Sequence, residues 1–162
     1  TCNATPLYLY GPAGLNVKVT AETAGRVFNV RLPAEAIHYS APAGIRFTPP
    51  SEGIIASKQK LPEIIIDLAK RLGLNEGETR DLAQYGNQIN SPFIFISYFD
   101  EETSKKILPL KFEPEPDTYI NIVFYFKPLT EPPPNPPNPH NPHTPSLRKG
   151  FTAVEISEFL DQ

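Results

Sequence analysis

The side chains of this chain that could do chemistry are three histidines, one cysteine and a few clustered carboxylates. His140 and His143 lie in a His-Asn-Pro-His segment, a spacing that can present two imidazoles to Zn²⁺ or Cu²⁺. A protein metal site needs three or four ligands, so Cys2 or a distant carboxylate would have to complete it. The pattern favours solvated polar residues. We expect no cofactor, and His140 and His143 are the candidate ligands for any metal.

A histidine near a serine raises the question of nucleophilic catalysis. His38 is followed by Tyr39 and Ser40 on a predicted strand, where neighbouring side chains point to opposite faces. A serine hydroxyl does not readily meet the imidazole in this geometry. The sequence therefore predicts an ordinary half-buried histidine at position 38.

Asp100, Glu101 and Glu102 form an acidic cluster. They precede Lys105 and Lys106 at helical spacing, so a helix cap with ion pairs explains them. The chain contains no glycine-rich phosphate loop, no zinc-ligand spacing and no nucleophile elbow. We therefore expect a protein that is not an enzyme, with a hydrolase using an unrecognised site as one alternative.

Seven tyrosines and ten phenylalanines are available to line a carbohydrate or peptide groove. Most are expected to pack in the core. Tyr8, Tyr10 and Tyr39 lie on early predicted strands and are the candidate ligand-binding aromatics. A ligand-binding module is thus a further alternative, with a carbohydrate or a surface as its partner.

Composition excludes two classes of partner. The net charge is −3, and basic and acidic residues are intermixed, so no lysine or arginine cluster suits a phosphate backbone. No nucleic acid is expected as a partner. No apolar run approaches the ~18 residues of a membrane-spanning helix, so no membrane span is expected.

Cys2 is the only cysteine, which excludes a disulfide within the chain. It either pairs between chains in an oxidising compartment or has no role. Asn3 begins an Asn-Ala-Thr glycosylation pattern, and the chain has no methionine, as in a processed product. These features predict a secreted or cell-surface protein.

A proline-dense segment, residues 132–145, holds eight of the chain's 20 prolines. Proline fixes φ and removes a backbone donor, so this arm is expected to form neither a helix nor a central strand. It is predicted to adopt polyproline II, in which it would span roughly 45 Å.

The tail that follows the arm, residues 148–162, is predicted to need a partner surface. Residues 151–159 suit a strand, and the segment from Val154 to Leu160 also suits a short amphipathic helix with Glu155 and Glu158 outside. Neither is stable alone in water. The residues expected to anchor the tail are Phe151, Val154, Ile156, Phe159 and Leu160.

Alternating apolar residues predict short strands over the first 56 residues, with a hairpin around residues 22–25. Residues 61–72 have helical periodicity, with Pro62 in the first turn and Gly73 after the end. Asn75 and Glu78 form a capping pair for a second helix that is expected to stop at Gly86. Residues 93–99 and 119–126 are the predicted central strands.

Four segments carry a resemblance to a known family. They are residues 5–12 (TPLYLYGP), 71–76 (RLGLNE), 108–129 with its LPLKFEPEPDT and IVFYFKPL parts, and 148–156 (RKGFTAVEI). In this pattern the chain resembles a family of proteins from fungi and bacteria whose function is open. The family's YWxP segment is replaced here by Tyr85-Gly86-Asn87. The resemblance covers most of the chain and implies that the tail is part of the fold.

The sequence as a whole predicts an α+β fold, mostly antiparallel β-sheet with a helical hairpin on one face. Residues 1–130 are expected to form one domain, 131–147 a Pro-rich arm and 148–162 a C-terminal docking segment. The predicted function is that of an extracellular structural or interaction protein. It self-associates into an oligomer or a filament by exchange of its C-terminal strand.

Overall fold

The computed structural model describes residues 4–40, 46–142, 145 and 147–162. These residues form nine strands and three helices, with mostly antiparallel pairing, which confirms the α+β fold. The strands are β1 Ala4–Tyr10, β2 Asn16–Ala21, β3 Arg26–Arg31, β4 Ile37–Ser40, β5 Ile54–Ser57, β6 Phe93–Tyr98, β7 Leu110–Glu113, β8 Thr118–Leu129 and β9 Thr152–Leu160. The helices are α1 Leu61–Arg71, α2 Glu76–Asn87 and α3 Glu101–Ile107.

The chain divides into two compact units, and each is discontinuous in sequence. Unit 1 comprises Thr1–Thr48, Phe99–Phe124 and Arg148–Phe159, and unit 2 comprises Pro49–Tyr98, Tyr125–Leu147 and Leu160–Gln162. Strand β8 contributes its first part to unit 1 and its last part to unit 2. The arm therefore belongs to unit 2, and most of the tail belongs to unit 1.

Unit 1 contains two groups of strands. The order in one is β4-β1-β9-β8, and in the other it is β3-β2-β7. The predicted hairpin is confirmed, because β2 and β3 pair antiparallel on either side of Gly25, whose φ is +64°. Both groups contribute to one apolar core, which contains Leu7, Leu9, Val17, Val19, Leu32, Phe112, Phe151 and Ala153.

Strands β8 and β9 run parallel to each other. At their beginnings the Thr118 amide donates to the Phe151 carbonyl, and at their ends the Asp161 amide donates to the Phe126 carbonyl. Parallel neighbours cannot be joined by a tight hairpin and need a long crossover. Residues 130–151, which include the arm, form this crossover, and those that the structure describes contain no helix or strand.

Unit 2 contains β5, β6, the last part of β8 and the helices α1 and α2. The two helices contact each other, as the predicted helical hairpin requires. The capping box of α2 is confirmed, with the Asn75 side chain accepting from the Glu78 amide and the Glu78 side chain accepting from the Asn75 amide. The predicted stop at Gly86 is wrong, because α2 continues to Asn87. A Cβ at Gly86 would collide with Ile65 of α1, so this glycine permits close helix packing.

The predicted helix after β6 is also confirmed, as α3 of unit 1. The Asp100 side chain accepts from the Thr103 amide at 2.7 Å and caps the helix. This bond lowers the pKa of Asp100. Lys105 and Lys106 pair with Glu101 and Glu102 at 3.0 and 3.1 Å on the exposed surface. The acidic cluster is therefore a cap with helical ion pairs, as the spacing indicated.

Candidate functional site

Strand β9 fills a slot between β1 and β8 in unit 1. It pairs antiparallel with β1 in a register that runs from Leu7 opposite Glu155 to Tyr10 opposite Thr152. Residues 152–158 are all buried, so both faces of the strand are covered. The tail is therefore a central strand. The helical alternative for residues 154–160 is wrong, because burial on two faces favours an extended strand over an amphipathic helix with one solvated face.

All five predicted docking residues lie on β9 or directly before it. Phe151, Val154 and Ile156 are 5 %, 0 % and 1 % exposed, and Phe159 and Leu160 are half-buried. The surface that buries β9 in this structure is the sheet of its own chain. Self-association through these residues stays a prediction.

A turn fixes the position at which β9 begins. Gly150 has a φ of +55°, and a Cβ there would collide with the carboxylate of Asp117. That carboxylate accepts from the Phe151 amide at 2.8 Å, and the Asp117 amide donates to the Phe151 carbonyl at 2.8 Å. Asp117 thus has a structural role at the start of β9.

A buried carboxylate lies at the centre of the tail strand. Glu155 has 0 % exposure and accepts hydrogen bonds from the Tyr39 and Tyr119 hydroxyls, the second at 2.8 Å. The Asn121 side-chain amide donates to the Tyr119 hydroxyl at 3.2 Å. We call Glu155, Tyr39, Tyr119 and Asn121 the tail anchor. It links β4, β8 and β9 by side chains within unit 1.

Burial governs the ionisation of the tail anchor. It raises the pKa of the Glu155 carboxyl to about 7, and the two tyrosine hydroxyls act in the opposite direction because they stabilise the carboxylate. Burial, followed by the charge of Glu155, raises the pKa of Tyr119, so this hydroxyl stays protonated and remains a donor. The Lys105 ammonium lies 5.6 Å from the centre of the Tyr119 ring.

Further polar atoms are buried in the same strands. Thr5 Oγ1, Asn121 Oδ1 and Ser157 Oγ have no hydrogen-bond partner among the residues that the structure describes. Thr5 and Ser157 lie on the face of β1 and β9 that carries Leu7 and Glu155, because alternate residues of a strand share a face. Buried polar groups are costly in an apolar core. These atoms therefore offset part of the stability that burial of the strands provides.

The arm is held in unit 2 through His140. Its Nε2 lies 2.6 Å from Ser97 Oγ on β6, its Nδ1 lies 3.5 Å from a carboxylate oxygen of Glu52, and its ring stacks on Tyr98 at 4.1 Å. The Gly53 amide also donates to the carbonyl of arm residue Asn138 at 2.8 Å. We call His140, Ser97, Glu52 and Tyr98 the arm anchor.

The charge of the arm anchor is set by burial and by one carboxylate. Burial lowers the pKa of His140, while Glu52 raises it. Burial, together with Glu52, raises the pKa of Tyr98. The Glu52 side chain is 57 % exposed, so solvent screens its charge and it offsets only part of the desolvation.

Ser97, His140 and Glu52 stand in the order of a nucleophile, a base and a carboxylate. The Ser97 hydroxyl, however, also lies 2.5 Å from the Glu52 carbonyl oxygen, to which it can donate, and Ser97 is fully buried. A nucleophile must reach a substrate carbon, and this hydroxyl is covered. The arrangement serves to fasten the arm, and a hydrolytic activity stays a prediction.

Among the other candidate residues, Tyr39 belongs to the tail anchor, whereas Tyr8, Tyr10 and His38 belong to neither anchor. Tyr8 and Tyr10 of β1 are half-buried, with parallel rings 6.4 Å apart, and the Arg148 guanidinium lies 5.7 Å from the Tyr10 ring. Tyr39 is 3 % exposed and belongs to the tail anchor, so its side chain offers almost no surface to a ligand. His38 is exposed, so the prediction of a half-buried histidine is wrong. The metal candidate His143, the thiol of Cys2 and the glycosylation candidate Asn3 lie outside the described residues.

The described residues provide neither a cluster of metal ligands nor a helix that could span a membrane. No three His, Cys, Asp or Glu side chains in this part of the chain converge as metal ligands do. None of its helices has the length and apolar character needed to cross a membrane.

Sequence reasoning did not identify Ser97, Glu52, Tyr119 or Glu155 as site residues. One signal was available, because Glu155 is a charged residue between Val154 and Ile156 in an otherwise apolar tail. Such a residue is either solvated or paired inside, and a docked strand favours pairing. Ser97 and His140 are 43 residues apart, so no local sequence pattern indicates their contact.

Comparison with known proteins does not extend this picture. The chain matches no family model, and comparisons with curated proteins and with solved structures find no match either. The resemblance described above therefore rests on its sequence motifs alone.

Proposed function

We propose that this is a non-enzymatic structural or interaction protein that associates with further copies of itself by exchanging β9. The observation that supports the proposal is the topology of the tail. A central strand is joined to its parallel neighbour only by a long crossover without helix or strand among its described residues. The proposed extracellular location rests on the sequence features alone.

Exchange needs no new interface. If β9 of one copy enters the slot between β1 and β8 of another copy, it makes the same contacts there as in its own chain. The length of the crossover influences the equilibrium between the exchanged and the unexchanged form, because a long connection allows β9 to reach its own slot or that of a neighbouring copy. Reciprocal exchange gives a closed dimer, and head-to-tail exchange gives an open filament.

Cross-strand disulfides distinguish the two arrangements. Tyr8 and Val154 are directly opposite each other on β1 and β9, and paired strands hold such Cα atoms about 4.5–5.5 Å apart, which suits a disulfide. In a Cys2→Ser background, Tyr8→Cys and Val154→Cys are placed on separate chains that are refolded together and oxidised. We expect a disulfide-linked dimer on a non-reducing gel.

Two controls make this experiment decisive. The double variant with both cysteines on one chain shows that the pair can close, and light scattering of the locked chain should give a monomer. Ile156→Cys replaces Val154→Cys as an off-register partner of Tyr8→Cys and should link poorly. If the double variant closes while the mixed chains give no dimer, β9 stays in its own sheet and the proposal is refuted.

A ligand-binding role is the second candidate, and one observation favours it. Tyr8 and Tyr10 present parallel rings with an interplanar angle of 6°, and Arg148 lies beside the second ring. Aromatic faces next to a cation suit a carbohydrate or peptide ligand. Glycan-array binding that is lost in Tyr10→Ala, with a monomeric protein in solution, would favour this candidate over exchange.

A further inference from the structure

The tail anchor borders a group of buried oxygen atoms in unit 1. Thr5 and Ser157 are 0 % exposed and Asn121 is 3 % exposed. Their Oγ1, Oγ and Oδ1 atoms have no hydrogen-bond partner in the part of the chain that the structure describes. The three residues lie on the adjacent strands β1, β9 and β8. We call Glu155, Asn121, Thr5 and Ser157 the oxygen patch.

The strand register brings the four side chains of the oxygen patch together. Leu7 of β1 lies opposite Glu155 of β9. Thr5 and Ser157 each lie two residues further in the same direction and on the same face, because the two strands are antiparallel. Asn121 of β8 lies beside Glu155, since the hydrogen bonds at both ends of the β8–β9 ladder give this register. The four side chains therefore face the same part of the core.

Hydrogen bonding fixes the direction of the Asn121 amide. When Glu155 is ionised, the Tyr119 hydroxyl donates its one proton to the carboxylate at 2.8 Å. This hydroxyl can then only accept from the Asn121 side chain, so the NH₂ group of Asn121 faces it at 3.2 Å. Asn121 Oδ1 is left beside the carboxylate. Two acceptors that lie side by side need a proton donor or a cation between them.

The charge of Glu155 is not balanced by any ion pair among the described residues. Its two hydrogen-bond donors, Tyr39 and Tyr119, are neutral hydroxyls. A buried charge is ordinarily paired or bound to a metal ion. A cation within the oxygen patch would balance the carboxylate and also give the three remaining oxygen atoms a partner. Water would do only the second.

We propose that the oxygen patch binds one alkali cation, Na⁺ or K⁺. Carboxylate, amide and hydroxyl oxygens are hard ligands that can replace the hydration shell of such an ion. This donor set differs from the clusters of histidine and cysteine that hold transition metals. One carboxylate balances one positive charge, whereas a divalent ion would leave an excess charge in a desolvated position and would need more oxygen ligands.

The cation would join β1, β8 and β9 within unit 1, and β9 supplies two of the four ligands, Glu155 and Ser157. The same ligands come together whichever copy of the chain supplies β9 to the slot. The site therefore goes beyond the proposed exchange of β9, and its failure and the failure of exchange are separate results.

The test is urea unfolding of the full-length chain at pH 8, where Glu155, whose pKa is about 7, is mostly ionised. Stability is compared in NaCl, KCl and choline chloride at equal ionic strength, because choline is too large to be held by four buried side chains. We expect a higher unfolding midpoint in NaCl or in KCl than in choline chloride. Above its dissociation constant, each tenfold rise in the preferred ion should lower the equilibrium constant of unfolding about tenfold.

Three substitutions and one matched control locate the ion. Glu155→Gln, Thr5→Val and Ser157→Ala each remove a ligand and should reduce the difference between the salts. In choline chloride, Thr5→Val and Ser157→Ala should be no less stable than the wild type, because each removes a buried hydroxyl that has no partner among the described residues. Thr152→Val changes a buried threonine of β9 outside the oxygen patch and should keep the full difference.

Equal stability of the wild type in the three salts would overturn the proposal. A difference between the salts that persists undiminished in both Thr5→Val and Ser157→Ala would also overturn it, because the ion would then bind elsewhere. If these two variants lose stability in choline chloride while the wild type shows no difference between the salts, the oxygen patch holds water and not a cation.

Discussion

The arm anchor and the tail anchor each contain one buried titratable side chain. Burial disfavours the charged form of both side chains, but His140 is charged when it is protonated and Glu155 when it is deprotonated. Desolvation lowers the pKa of the His140 imidazole, and the Glu52 carboxylate offsets part of this shift. Glu155 is neutral below its pKa, so desolvation makes the tail anchor weaker toward alkaline pH. The arm and the tail thus each carry a buried titratable group, and the pKa values of the two groups are shifted in opposite directions.

The two anchors also differ in depth. Glu155 is completely covered and bonded to two tyrosine hydroxyls, whereas the Glu52 side chain near His140 is more than half exposed. Loss of the tail anchor exposes the core of unit 1, while loss of the arm anchor frees a segment that has no core of its own. We therefore expect changes at Glu155 to alter global stability and changes at His140 to alter local opening.

The largest effect is expected from Glu155→Leu, measured at pH 5, where the native carboxyl is protonated. The substitution leaves the Tyr39 and Tyr119 hydroxyls buried without their acceptor, which should lower the free energy of unfolding by about 4 kcal/mol. Urea unfolding followed by circular dichroism measures the loss. The triple variant with Tyr39→Phe and Tyr119→Phe should regain most of it, and a triple variant no more stable than the single one would show that the hydroxyls do not depend on Glu155.

The next effect is the pH dependence of the tail anchor. The pKa of Glu155 is raised to about 7 in the folded chain from an ordinary 4.5, so the folded state holds its proton more tightly than the unfolded state. Stability should fall as the pH rises from about 4.5 to about 7, by roughly 3 kcal/mol in total. Urea unfolding across this range checks the slope, and Glu155→Gln should reduce it. An unchanged slope in that variant would assign it to other groups.

The smallest effects are expected from alanine substitutions at three glycines, which lie before β9, beside the arm and in the β2–β3 turn. Gly150, Gly73 and Gly25 all have positive φ, so alanine at each costs about 1 kcal/mol from the backbone alone. Gly25 has open space, a Cβ at Gly73 would lie 2.7 Å from Pro145 of the arm, and one at Gly150 would collide with Asp117. Thermal unfolding should rank Gly150→Ala as the most destabilising, at about 2 kcal/mol, because Asp117 holds the start of β9 while Pro145 is exposed and can move. Equal losses for all three would mean that the start of β9 is no more constrained than the arm.

The sequence was sufficient for features with a local cause. The Asn75 and Asp100 caps, the β2–β3 hairpin and the end of α1 before Gly73 each follow from residues a few positions apart. The two anchors could not be predicted in this way. Tyr39 and Glu155 are 116 residues apart, and nothing near either residue specifies the other. The parallel pairing of β8 and β9 could likewise not be predicted, because the sequence of a proline-rich crossover does not differ from that of an undocked linker.

That crossover has a consequence for how the protein is made. Strands β1 and β8 are both synthesised before β9, so the sheet of unit 1 has an unfilled gap until residues 152–160 emerge. Closing it brings together segments about as distant in sequence as this chain allows, and such contacts form slowly because the entropy of loop closure comes first. During that interval two unpaired strand edges are exposed and can capture a strand from another nascent chain. Folding at high local concentration on neighbouring ribosomes would then favour mixed pairings over those made after release.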